Sequence, residues 1–149
     1  MRAQFFDRQD ATNPLNETVV DGSPALRRII NDTRQRQPFL SELVGTNDRK
    51  LLLGLGSGDG CVQFSSTDGA PPYLMAVGTI EHEGGGTQEF LMGDTSTPMP
   101  RRYCLPMEKV AEIAVAFLET GERSSVSVTR GSPVPGLDLR GMLWTARSG

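Results

Sequence analysis

The 149-residue chain carries 15 basic and 18 acidic residues for a formal net charge of −3, and it is 37% hydrophobic with 17 glycines and 10 prolines. That length can bury one proper core without disulfide or metal staples, and the composition is that of a soluble, turn-rich globular protein. No run approaches the roughly eighteen apolar residues of a membrane-spanning helix, and the opening MRAQFFDRQDATNP, broken by Asp7, Arg8 and Asp10, lacks the apolar stretch of a secretory signal.

Phe5-Phe6 predicts a short strand before the turn-rich stretch to Asn13-Pro14, and Thr18–Val20 a second extended piece. Ser23-Pro24 is a helix start: a hydroxyl to cap the first N–H groups and a proline at the first helical position. Leu26, Ile29, Ile30 and Thr33 then recur on one stripe, so a helix is predicted over 24–34, ending before Pro38. Phe39–Val44 reads equally as strand or connection. Lys50–Gly56 and Cys61–Ser65, joined by Ser57-Gly58-Asp59-Gly60, have the pattern of a hairpin. After the turn at 67–72, Tyr73–Gly78 predicts a nearly all-apolar central strand, and Glu89–Gly93 a fourth beyond the glycines at 84–86. Val110, Ile113, Ala114, Phe117 and Leu118 form the second helical stripe, giving a helix over 106–119 with Gly121 as its stop. Ser125–Thr129 alternates as a final strand. The Pro/Gly-rich residues 131–149 are expected to be a mobile or loosely docked tail beyond a single domain of residues 1–130.

Charge is unevenly spread. Between Leu51 and Pro100 there is no lysine or arginine but there are six acids, Asp59, Asp68, Glu81, Glu83, Glu89 and Asp94. Because this is also the most strand-rich window, the acids are expected on one sheet, as a solvated face or as a field attracting a basic partner. The aromatic-bearing strands, with Phe64, Tyr73 and Phe90, lack positive charge, which argues against a nucleic-acid ligand there.

Enzyme signatures fail on inspection. GLGSGDGC breaks the GxGxxG spacing in both frames and runs into a strand, whereas phosphate cradling needs a helix N-terminus. His82 lies between Glu81 and Glu83 in a predicted loop, too few ligands for a zinc site. Cys61 and Cys104, with no CxxC spacing, read as reduced, buried, small hydrophobes. A non-enzyme with no metal and no cofactor is expected.

The run LLLGLGSGDGCVQFSSTDGAPPYLMAVG, then EFLMGDTSTPMPRRYCLPMEKVAEIAVAFLETGERS, resembles the first immunity-protein family of bacterial polymorphic toxin systems. The resemblance covers about half the chain, from Leu51 to Arg123, and rests on the order of turn, apolar and small residues. It implies an α+β fold whose members bind and block a cognate toxin, often a nucleic-acid deaminase, and it carries over no catalytic residues. The fold expected is an antiparallel sheet of about five or six strands packed by two main helices. The partner expected is a protein toxin with a basic substrate groove, met in the cytoplasm, with no membrane or nucleic-acid ligand. The candidate contact residues are Asp68, Glu81, Glu83, Glu89 and Asp94, with Tyr73 and Tyr103 as aromatic anchors; against them stand ordinary surface charge and a core role for Tyr73. A general protein-binding module with an acidic sheet face and an unknown partner is the other reading, separable by gene adjacency to a toxin.

Overall fold

A computed structural model describes residues 2–69, 74–78, 86–120 and 142–146. Among them are strands β1 (Ala3–Asp7), β2 (Thr18–Val20), β3 (Phe39–Gly45), β4 (Arg49–Leu55), β5 (Asp59–Ser66), β6 (Leu74–Gly78), β7 (Thr87–Met92), β8 (Thr95–Pro100), β9 (Leu105–Pro106) and β10 (Met142–Ala146), with helices α1 (Ser23–Thr33) and α2 (Met107–Thr120) and a 3-10 turn at Arg101–Tyr103. The sheet runs β10-β6-β5-β4-β3-β1-β2; β7 joins β3, β8 joins β7, and the short β9 pairs with the start of β5. All pairings are antiparallel except the single parallel pair of Phe39 with Leu91. This is the expected α+β architecture with more strands than predicted. No helix among the described residues is long and apolar enough to cross a membrane.

Strand alternation sends successive side chains to opposite faces, and here both faces are buried over the sheet's centre. One face carries Phe5, Phe39, Leu43, Leu51, Leu53, Leu55, Val62 and Phe64, covered by Leu26, Ile29 and Ile30 of α1 and Val110, Ile113, Ala114 and Phe117 of α2. Phe117 meets Phe64 edge to face, ring centroids 6.2 Å apart. The other face carries Leu40, Cys61 and Met75, covered by Phe90 and Met99 of the β7–β8 hairpin and by Tyr103 and Cys104.

The helix boundaries differ slightly from prediction. Gly22, not Ser23, caps α1, and no side chain caps it; Ser23 and Pro24 form its first turn. Pro106 is spent in β9, opposite Asp59, so α2 begins at Met107. The larger difference is at the tail. Met142–Ala146 pair along the whole of β6, from Met142 opposite Gly78 to Ala146 opposite Leu74. That strand satisfies the backbone groups that β6 would otherwise leave open at an edge. The predicted strand at Ser125–Thr129 lies outside the described residues.

Two glycines stand where a side chain has no room, Gly54 on the second face and Gly60 on the helix side. A Cβ on Gly54 would lie 2.6 Å from Cys61 Sγ and 2.7 Å from Phe90 Cε1, and one on Gly60 would lie 2.2 Å from the Gly54 carbonyl oxygen. Gly54→Ala is therefore expected to destabilise the fold by about 1–3 kcal/mol through overpacking. Phe117→Ala, which empties a fully buried site, should cost about 3–5 kcal/mol. Urea unfolding measures both; a loss under about 1 kcal/mol for Phe117→Ala would remove that ring from the core.

Candidate functional site

Among the described residues of the acidic window, the β7–β8 hairpin displays the most exposed side chains. Met92 pairs with Thr95 across a two-residue turn, and Gly93, at φ 59°, supplies the positive φ such a turn takes at its first position. Three hydrogen bonds fix the hairpin to the sheet: Leu91 N–H donates to the Pro38 carbonyl (2.9 Å), Gly93 N–H to the Arg8 carbonyl (2.8 Å), and Gln88 Nε2 to the Asp59 carbonyl (2.9 Å). Phe90 and Met99 plug into the second core, and Leu91 packs against the helix-side core. Exposed are Thr87, Glu89, Met92, Asp94, Thr95, Ser96 and Pro98. Ser96 Oγ donates to Glu89 Oε2 at 2.7 Å, which holds that carboxylate on the ribbon. Met92 is 42% exposed, a large apolar side chain beside the acidic tip.

The predicted contact residues divide. Glu89 and Asp94 share the hairpin, and both are exposed. Asp68 is exposed too but sits past the far end of β5, where Ser66 Oγ donates to it and Thr67 N–H donates to the Asp48 carbonyl. The eight residues of β5 put roughly 25 Å between that end and the Asp59 end where the hairpin is tied. Tyr103 is buried, at 4% exposure, with the Arg102 guanidinium 4.8 Å from its ring centroid. It therefore supports the hairpin from beneath and offers no contact surface. Tyr73, Glu81, Glu83 and His82 lie outside the described residues.

A second polar cluster is invisible in the linear charge pattern. On the face away from the helices, Phe6, Glu42, Leu52 and Gln63 are directly paired across four strands. Glu42, nearly buried, is bridged by Arg8 from one side and by Lys50 at 2.8 Å from the other, and Arg8 also lies 4.8 Å over the Phe6 ring. Nearby, the buried Asp7 carboxylate accepts the Gln9 and Asp10 N–H groups (2.9 Å each), Asn13 Nδ2 (2.9 Å) and the Arg36 guanidinium (2.6 Å). The tell for Glu42 was a lone charge inside FLSELV; nothing in the sequence pointed to its partners. Among the described residues no group of three or more His, Cys, Asp or Glu side chains could hold a metal ion.

These two buried carboxylates make the fold sensitive to acid. Burial pushes Glu42 up, but hydrogen bonds and charge from Lys50 and Arg8 outweigh it and hold the group below its ordinary value. Asp7 is likewise pushed up by burial and held below its ordinary value by Asn13, the Asp10 backbone, Arg36 and the Gln9 backbone. Since both are depressed in the folded chain, the unfolded chain binds more protons as the pH falls, and their contribution, complete above about pH 4.5, is lost through the folded values. Urea unfolding should show stability falling below about pH 4.5. Glu42→Gln should be less stable at pH 7 by roughly 1–2 kcal/mol, with a shallower acid slope; an unchanged slope would contradict the assignment.

Comparison with curated proteins finds no match. The family model of the immunity protein Imm1 matches residues 9–130, a span that holds both helices, β2 through β9 and the hairpin. It begins after β1, so that Phe5, Phe6, Asp7 and Arg8 lie outside it, and ends before β10. With a match over most of its length, the chain belongs to the Imm1 family of immunity proteins.

Proposed function

We propose that this chain neutralises a cognate polymorphic toxin by direct, stoichiometric binding in the cytoplasm, without turnover, and that the toxin is a nucleic-acid deaminase. The β7–β8 hairpin enters the toxin's substrate groove and occludes it. The observation that carries this reading is the hairpin: a ribbon anchored by Phe90 in the core and displaying Glu89 and Asp94 around an exposed Met92. An enzyme that works on DNA or RNA needs a basic groove for the phosphate backbone, and an acidic projection is its electrostatic complement. The whole stretch from Leu51 to Pro100 lacks lysine and arginine, so the two strands of the hairpin carry acids and no cation of their own. Contact energy concentrates in a few desolvated side chains, which assigns Met92 the anchoring role and the carboxylates the steering role. Asp68, at the other end of β5, contributes only at long range.

The test is co-expression with the toxin encoded beside this gene, followed by association kinetics on the purified pair. Survival should depend on this chain, with an equimolar complex recovered. Glu89→Lys with Asp94→Lys should slow association by about tenfold at low salt and flatten its salt dependence, with an unchanged thermal midpoint because both residues are exposed. Protection by far fewer copies of this chain than of toxin, or no complex with it, would overturn the reading.

A further inference from the structure

Cys61 and Cys104 are 43 residues apart in sequence, yet each lies one step beyond a paired position of the β5–β9 ladder. That antiparallel ladder pairs Asp59 with Pro106 and Gly60 with Leu105; one more step in the same register sets Cys61 opposite Cys104. Cys104 keeps extended backbone angles, φ −97° and ψ 141°, so the chain is strand-like at that step. Directly opposed residues of a ladder project to the same face, and both cysteines do: each is 1% exposed, within the core that holds Phe90, Met99 and Tyr103. The preceding pair faces the other way, as alternation requires. Leu105 packs in the helix-side core, and a Cβ on Gly60 would lie 2.7 Å from Met107 Sδ. Opposed residues in an antiparallel ladder have Cα atoms about 4.5–5.5 Å apart, inside the range of about 4.4–6.8 Å that a disulfide spans. Both residues are thiols in this structure.

We propose that Cys61 and Cys104 form a cross-strand disulfide when the chain folds in the presence of a small-molecule disulfide, locking β5 to the segment that enters α2 beneath the β7–β8 hairpin. One cysteine thiolate attacks the oxidant's S–S bond, giving a mixed disulfide and releasing one thiolate. The second cysteine sulfur displaces the remaining half, forming the protein disulfide. The two protein thiol protons end on the two released thiols, so the protein is oxidised by two electrons and the small disulfide is reduced by two. The reaction belongs to folding and not to the finished fold. Burial, reinforced by the negative charge of Asp59, pushes the Cys104 thiol up to about 11, and a protonated thiol inside a core is a poor nucleophile. The same burial shields the bond from reductants once it is made.

The experiment refolds reduced, denatured protein in oxidised plus reduced glutathione, with a reduced-only control, then alkylates under denaturing conditions and maps peptides. The oxidised sample should be monomeric, carry no alkylated cysteine and yield a linked Cys61–Cys104 peptide pair. Its thermal midpoint should rise by roughly 5–10 °C over the reduced form. Native reduced protein placed in the same buffer should oxidise at least about tenfold more slowly. Cys61→Ala and Cys104→Ala should each abolish the difference in midpoint between the two conditions. Two alkylated thiols after oxidative refolding, glutathione adducts, intermolecular dimers, or a linked form that melts no higher than the reduced one would overturn the proposal.

Discussion

Where β4 and β5 pair, the absence of a side chain at Gly54 leaves the space that Phe90 and Cys61 fill, with Phe90 Cε1 only 2.7 Å from where a Cβ would stand. A ribbon of two strands is not stable by itself in water, so the β7–β8 hairpin holds its shape only because Phe90 and Met99 are seated in the sheet. A glycine inside a strand ordinarily weakens it; here that local loss is offset by burying a phenylalanine completely. The hairpin, the acidic tip and the Met92 side chain inherit their position from that seating together with the hydrogen bonds of Gln88, Leu91 and Gly93 to the sheet.

The same seating separates two tasks. The core beneath the hairpin is apolar, and the exposed positions of the hairpin carry hydroxyls, carboxylates and one methionine. An inhibitor gains from such a division, because a pre-formed contact surface loses less entropy on binding than a loop that must first be ordered. Exposed charges further apart than a Debye length, about 8–10 Å at physiological salt and about 30 Å at 0.01 M, are largely screened from each other. Asp68, beyond the far end of β5, therefore has no place on the hairpin surface and adds to its field only at low salt. Glu42, by contrast, is already bridged by Arg8 and Lys50, and its charge is consumed inside the fold.

The legible parts of this chain carry a strong local signal. The stripe of α1 has one buried and one wet face, and α2 keeps its stripe although it is buried over most of its surface. The hairpin of β4 and β5, covered on both faces, is marked by its glycine turn. All occur close to where the sequence puts them. β3 is illegible because its first five residues are all buried, including Ser41 and Glu42; a strand covered on both faces shows no alternation. β8, TSTPMP, hides for another reason: two prolines and a single buried methionine carry no strand signal, and its register comes from β7. β10 follows a Pro/Gly-rich stretch whose composition predicts loose chain, and its pairing with β6 is a long-range event that no local pattern encodes. At the candidate site, the acidity of Glu89 and Asp94 is a sequence property and was visible as such. The burial of Tyr103 was not, since Arg101 and Arg102 beside it suggest an exposed segment, and the register that opposes Cys61 and Cys104 depends on β9, which is two residues long.

The central claim is that the β7–β8 hairpin is the toxin-binding element of this immunity protein. Amide hydrogen exchange, compared between the free chain and its complex with the toxin, tests it most directly. Protection gained on binding is expected at residues 87–100, strongest around Met92, Gly93 and Asp94, with little change in the buried strands or in α1 and α2. Protection centred instead on the Phe6–Glu42–Leu52–Gln63 face or on the helices, with the hairpin tip exchanging as freely in the complex as alone, would contradict the account.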